Sequence, residues 1–306
     1  MDEAYRISRF DGAVLLLPQT LRCRARQLSS KQRGMAEEVR LRVGQPMTVL
    51  VGGTEIPLGA ENVVPRDLES VLEIGTQASM HSVRDSLRRG FVTLRGGYRL
   101  GLCGTAVTEH GQMTGLRCLS SAALRISREI RGAAESVLPA VVRNGKFSST
   151  LILSPPGMGK TTLLRDMVRL LSDRYRFRVA VADERGEIAA MYEGRPGMDV
   201  GRRTDVLEGC GKAEGTMTLL RAMNPEIIAM DEITEMRDLE AIRQASYCGV
   251  KLLATVHAEN REGLIRRPLY RELLALEVFS RFVTVENHAG ERRYTVTDEE
   301  GALCCG

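Results

Sequence analysis

The chain has 306 residues, 43% of them apolar and 27% charged, which excludes a disordered polymer and suits two domains of ordinary size. A net charge of +4, the absence of Trp and a 4% aromatic content argue against a binder of nucleic acid that works by a basic surface and base stacking. The apolar run 13–17 is too short to cross a bilayer and lacks a signal-peptide cleavage pattern, so a cytosolic location is expected.

In chain order, residues 1–143 mix helical and strand signals. Arg22, Arg24, Arg26 and Arg33 read as a solvated basic face. The spacing predicts a helix over 66–73 and a shorter one over 81–89, ended by Gly90. Short strands are predicted over 91–94, 98–102 and 105–108, punctuated by glycines, with one more over 124–126. The expectation is an α+β domain with a Gly-rich antiparallel sheet. Asn144-Gly145 with Ser148 and Ser149 marks a linker, giving domains 1–143 and 144–306. The seven Cys are scattered with no C-x-x-C pair, so zinc is not expected and reduced thiols are.

From residue 150 the pattern changes to apolar runs alternating with helical segments. Strands are predicted over 150–154, 178–183, 226–230 and 251–256. Continuous apolar runs of this kind mark parallel strands buried on both faces, so the fold class is α/β, a three-layer nucleoside-triphosphatase core. Strands over 281–285 and 292–297 read as a hairpin around Ala289-Gly290.

The chemistry is concentrated at the ends of these strands. Ser154, Pro155, Pro156, Gly157, Met158, Gly159, Lys160, Thr161 and Thr162 follow a strand-like run and open into a helical one. Strand, Gly-rich turn, helix is the context of a phosphate-binding loop. Gly157 and Gly159 let backbone wrap phosphate oxygens, and the helix N-terminus favours the anion. Lys160 would reach the β- and γ-phosphates, and the Thr161 hydroxyl would ligate Mg²⁺. The usual pattern begins with Gly where this chain has Ser154.

About seventy residues on, an apolar strand ends in Asp231-Glu232, a Walker B pattern in which Asp231 would hold the metal and Glu232 would orient or deprotonate water. Glu184 and Glu187 follow the strand that ends at Asp183, where they would position water or metal or else cap and complement a following helix. Thr255 and His257 end another strand, and His257 can donate a hydrogen bond to phosphate in either protonation state. Arg221, and the pair Arg202-Arg203, are candidates for phosphate or inter-subunit contact, with surface ion pairing as the alternative.

The segments SPPGMGKTTLLRD, VADERGEIA, LLRAMNPEIIAMDEIT and LLATVHAEN resemble the secretion and pilus-assembly ATPases, with their Walker A loop, acidic box, Walker B lead-in and His box. Together with EEVRLRVGQPMTVLVGG, SLRRGFVTLRGGYRLGLCGTAV and LRISREIRG, the chain resembles the stage III sporulation protein AA family over nearly its whole length. That resemblance implies a RecA-like P-loop core with a smaller N-terminal α+β domain, hydrolysis of ATP with Mg²⁺, and a ring-shaped homo-hexamer. It further implies a motor that powers or assembles the mother cell–forespore channel. Such a motor would sit in the mother-cell cytoplasm, peripheral at the membrane facing the forespore. Its partner would be a membrane platform protein of the same operon, stage III sporulation protein AB, with no DNA or RNA. Arg95, Arg99 and Arg117 are the arginines that an N-terminal domain of this kind would lend to the nucleotide.

Two features depart from the secretion ATPases: Asp231-Glu232 stands where they commonly have Gly-Glu, and their tetracysteine zinc module is not seen. The alternatives are an ATPase of similar core that binds or translocates nucleic acid, and a nucleotide-gated scaffold without turnover.

Overall fold

Val39 and Leu41 point inward between the outward-facing Arg40 and Arg42, and this alternation makes 36–42 a strand with one buried face. It is the first strand of a six-stranded sheet. The computed structural model describes residues 3–76, 91–288 and 291–304. These residues form two units, Met1–Arg128 with Ala190–Gly197, and Glu129–Ala189 with Met198–Gly306.

The first unit begins with three helices, α1 (Glu3–Val14), α2 (Gln19–Ala25) and α3 (Ser30–Met35). A reciprocal capping box between Ser29 and Gln32 starts the third of them. Strands β1 (Ala36–Arg42), β2 (Pro46–Val51) and β3 (Thr54–Asn62) follow, then α4 (Pro65–Thr76), β4 (Phe91–Leu94), β5 (Tyr98–Glu109) and β6 (Gln112–Arg125). The sheet order is β3-β2-β1-β6-β5-β4, and every neighbouring pair is antiparallel. Phe10, Leu17, Leu41, Met47, Leu94, Leu100 and Leu124 fill the core between this sheet and the helices.

The antiparallel sheet and the helix over 66–73 are as the sequence predicts. The expected strands 98–102 and 105–108 are one strand, β5, whose pairing with β6 is irregular between Cys103 and Thr105. Gly104 therefore marks a bulge and not a turn. The helix expected over 81–89 lies outside the described residues.

The second unit opens with α5 (Leu138–Val141) and the short pair β7 (Val142–Arg143) and β8 (Lys146–Phe147). Its main sheet contains β9 (Thr150–Leu153), β10 (Val179–Asp183), β13 (Thr204–Glu208), β14 (Ile227–Met230), β15 (Lys251–Val256), β16 (Arg281–His288) and β17 (Glu291–Thr297). The small strands β11 (Met191–Tyr192) and β12 (Arg195–Pro196) pair with each other in the first unit. The helices are α6 (Lys160–Asp173), α7 (Lys212–Ala222), α8 (Met236–Tyr247), α9 (Arg261–Ile265) and α10 (Pro268–Ala275).

The order in the main sheet is β13-β10-β14-β15-β9-β16-β17, parallel throughout except for the β16–β17 hairpin. Strands β9, β10 and β14 are buried at every position, as their unbroken apolar runs require of parallel strands covered on both faces. Strand β13 is not foreseen from sequence, because its Thr204-Asp-Val-Leu-Glu208 carries two charges and lies half-exposed at the sheet edge.

The units divide at Arg128/Glu129 and not after residue 143, where Asn144-Gly145 places the boundary in the sequence reading. The Ala134 N–H donates to the buried Asp166 carboxylate of α6 at 2.9 Å, and Val137, Leu138 and Val141 are fully buried. This packing ties 129–143 to the second unit, and Asn144-Gly145 is the tight turn of the β7–β8 pair.

Candidate nucleotide site

Because β9, β10, β14 and β15 run parallel and in register, the residues that follow them meet at one edge of the sheet. Ser154 follows β9, Glu184 follows β10, Asp231 and Glu232 follow β14, and His257 follows β15. Residues as far apart in the chain as Ser154 and His257 thus share one cluster.

The loop 154–159 turns through two left-handed glycines, Gly157 with φ 77° and Gly159 with φ 93°. Ser154 is not a left-handed position, so Gly is not required there; its backbone N–H bonds the Val256 carbonyl and its hydroxyl bonds the Pro155 carbonyl. Pro155 and Met158 are half-buried and Pro156 is exposed. Gly159 is the N-cap of α6 and has no side chain to claim the first-turn N–H groups of Lys160, Thr161 and Thr162. A Cβ on Gly159 would lie 2.7 Å from the guanidinium carbon of Arg292, so this β17 side chain rests against the loop.

Lys160 Nζ lies 3.0 Å from His257 Nε2 and 3.9 Å from Glu232 Oε2, and His257 Nε2 lies 2.8 Å from Glu232 Oε1. The imidazole nitrogen can accept from Lys160 or donate to Glu232, depending on its proton. His257 Nδ1 is buried without a hydrogen-bond partner. Thr161 Oγ1 donates to Asp231 Oδ2 at 2.7 Å, and the Thr255 hydroxyl donates to Asp231 Oδ1. The same Thr255 oxygen accepts the Glu232 N–H at 2.8 Å and holds Glu232 in a left-handed conformation, φ 50°. Arg185 Nη1 approaches Glu232 Oε2 at 3.4 Å.

The acidic box is pinned from two sides. The buried Asp183 carboxylate accepts the backbone N–H groups of Glu187, Ile188 and Ala189 at 2.8–3.2 Å. Arg165 of α6 donates to the carbonyls of Glu187 and Ile188 at 2.5 and 2.6 Å. Burial pushes the Asp183 carboxyl above the usual range, helped by the charge of Asp231 and opposed by the three N–H bonds. Lys212, at the start of α7 and 7% exposed, donates to Glu184 Oε2 at 2.5 Å.

Thus Lys160, Thr161, Asp231, Glu232 and His257, with Glu184 and Glu187 beside them, come together at the strand ends. The predicted arginines of the same unit do not join them. Arg221 is exposed in the last turn of α7, at the end remote from Lys212 and therefore from the carboxylates. Arg202 and Arg203 are exposed before β13, at the opposite end of that strand from Glu208, where their backbone N–H groups bond Asp173 and Ser172. In the first unit, Arg95 follows β4, Arg99 stacks 3.4 Å from the Phe91 ring centroid, and Arg117 is exposed on β6.

Sequence reasoning misses Lys212, Arg185, Arg165 and Arg292, and reads Asp183 only as a strand end. For Lys212 the available signal is its place at a helix start directly after the Gly209-Cys-Gly211 turn.

The family model described as Sporulation stage III, protein AA matches residues 14–303. The chain is 35% identical over 279 residues to stage III sporulation protein AA of Bacillus subtilis (strain 168), covering 90% of each. It is 29% identical over 166 residues to type II secretion system protein E of Pseudomonas aeruginosa, covering 53% of this chain and 31% of that protein. Among solved structures, the pilus retraction motor PilT with bound ADP superposes with a TM-score of 0.60 at 15% identity, covering 85% of this chain and 78% of that one. The Legionella pneumophila ATPase DotB superposes with a TM-score of 0.55 at 16% identity, covering 86% and 76%. At these identities the structural likeness speaks for a shared fold, a RecA-like P-loop core with a smaller N-terminal α+β domain. The match of sequence over nine-tenths of both chains goes further, and by it this chain belongs to the stage III sporulation protein AA family.

Proposed function

We propose that this chain hydrolyses ATP to ADP and phosphate with Mg²⁺ at the strand-end cluster, working as a ring-shaped homo-hexamer that powers or assembles the mother cell–forespore channel. The observation that carries the reading is the convergence of Lys160, His257 and Glu232 with the Thr161–Asp231 pair beneath a loop built on Gly157 and Gly159.

The residues present fit a magnesium nucleotide. The loop offers backbone N–H groups and no Cβ at its two left-handed positions, and the α6 N-terminus adds its dipole. Thr161 and Asp231 are the oxygen donors that would hold Mg²⁺, which when bound neutralises charge on the phosphate oxygens. Lys160 places its ammonium against the terminal phosphates in exchange for its present contacts with His257 and Glu232. Glu232 accepts the proton of the attacking water, with Thr255 fixing its backbone. His257 bridges the loop lysine and that base, so it can report the terminal phosphate to both. Glu184 and Glu187 line the approach. Arg221, in the last turn of α7 and away from Lys212, is assigned no role at the site of its own chain.

Among the described residues no helix is long and apolar enough to cross a membrane. The motor would work from the mother-cell cytoplasm on a membrane platform, stage III sporulation protein AB, in keeping with the family's part in sporulation.

The test is ATPase rate against protein concentration, with Mg²⁺, for the wild type and Glu232→Gln, with light scattering in parallel. Specific activity should rise as a hexamer-sized species appears and vanish in the variant. A rate flat in protein concentration and insensitive to the substitution would overturn the reading.

A further inference from the structure

Lys212 is the buried cation of the cluster that none of the roles above uses. Three oxygens surround its ammonium: Glu184 Oε2 at 2.5 Å, Thr234 Oγ1 at 3.5 Å and Asp238 Oδ2 at 3.8 Å. Three N–H donors thus face three oxygens. Asp238 is itself buried and committed, because its carboxylate also accepts the N–H groups of Thr234 and Glu235 at 3.1 Å each and so shapes the turn that leaves Glu232 for α8. Glu184 is far less enclosed, with 37% of its side chain exposed, and lines the same small cavity as Glu187, Asp231 and Glu232.

An ammonium taken out of water is costly unless paired, and a half-exposed carboxylate on a flexible stem is otherwise free to rotate into solvent. One residue resolves both, by tying the acidic box after β10 to the turn after β14.

We propose that Lys212 is a positioning residue that holds the Glu184 carboxylate in the cavity beside Glu232, so that the acidic box and the water-activating base form one unit. The proposal rests on the hydrolase reading. It gives Glu184 a definite place in that reading, as the carboxylate fixed opposite Glu232. Lys212 acts through Glu184, and its removal should affect turnover far more than nucleotide affinity.

A double-mutant cycle on the full chain tests this, using Lys212→Met, Glu184→Gln and the pair, with kcat, KM, affinity for a fluorescent ATP analogue, and thermal midpoint measured for each. Lys212→Met should lower kcat about 10- to 100-fold, the range for partners that orient a site group, with nucleotide affinity changed less than about threefold. The double variant should be no slower than the slower single one, since both remove the same interaction. Wild-type kcat in Lys212→Met, or two losses that multiply in the pair, would overturn the proposal. Should Lys212→Met fail to fold, Glu184→Gln decides alone, because a wild-type kcat there leaves nothing for Lys212 to position. Lys160→Ala serves as the reference in the same assay. If it leaves turnover unchanged, the hydrolase reading itself fails; if it abolishes turnover while Lys212→Met does not reduce it, only the role of Lys212 fails.

Discussion

Thr161 in the first turn of α6 and Asp231 beyond β14 are joined by a 2.7 Å hydrogen bond in which the hydroxyl donates to the carboxylate. The bond brings together two oxygens suited to a hard cation. Asp231→Asn keeps the shape and removes the charge. The gain in ATP affinity on adding Mg²⁺ should then shrink about tenfold, in line with the loss of a hydrogen bond or ion contact to a charged group. Titrating ATP with and without Mg²⁺ checks it, and an undiminished Mg²⁺ effect would remove Asp231 from the metal site.

Lys160→Ala should weaken ATP binding by about 30-fold or more, the cost of deleting one partner of an enclosed charge contact. Equal affinity in the variant would mean that the loop is not the phosphate site.

For His257→Ala the expected signature is a fall in kcat larger than the fall in affinity. The imidazole touches both Lys160 and Glu232, so its loss disturbs the coupling of the two more than either one's reach. Steady-state kinetics together with direct nucleotide binding separate these effects, and an affinity loss alone would assign His257 to packing.

Gly157 and Gly159 should respond alike to alanine. Both have positive φ, which costs a residue with a Cβ about 1 kcal/mol. Nothing lies within 4 Å of a Cβ at Gly157, whereas at Gly159 it would meet the Arg292 guanidinium at 2.7 Å. The Arg292 tip is the far end of an exposed, flexible side chain and can swing aside, so Gly159→Ala should impair nucleotide binding about as much as Gly157→Ala, and adding Arg292→Ala should recover little. A binding titration of the three variants decides.

Asp183 makes stability depend on pH in an unusual direction for a carboxylate. Its folded-state value is raised, so the folded chain holds this proton more tightly than the unfolded one. The contribution is fully present below the ordinary carboxylate value and is lost as pH rises through the folded value. The thermal midpoint of Asp183→Asn relative to the wild type should therefore improve as pH rises from about 4, the ordinary carboxylate value. A difference that stays constant over that rise would contradict the assignment.

The second unit was more legible in sequence than the first. Unbroken apolar runs announce β9, β10, β14 and β15, and the groups that follow each of them are the ones that meet. Strand β13 escaped because edge exposure lets it keep Thr204, Asp205 and Glu208. In the first unit, β1 to β3 carry alternating charges such as Arg40, Arg42 and Glu55, and the ion pairs that reconcile them with a sheet exist only after folding. The partners of Lys212 lie in two segments far apart in the chain, Glu184 after β10 and Thr234 with Asp238 after β14, and no local pattern brings them together.

Glu232 stands at φ 50°, where glycine would be at ease. Local backbone preference and chemistry therefore pull in opposite directions at this one position. Glycine there would relax the turn and leave Lys160 and His257 without the carboxylate that faces both. The carboxylate persists in a disfavoured conformation held by the Thr255 hydroxyl, so the fold at this point trades a measure of its own stability for a charged group fixed at the strand end.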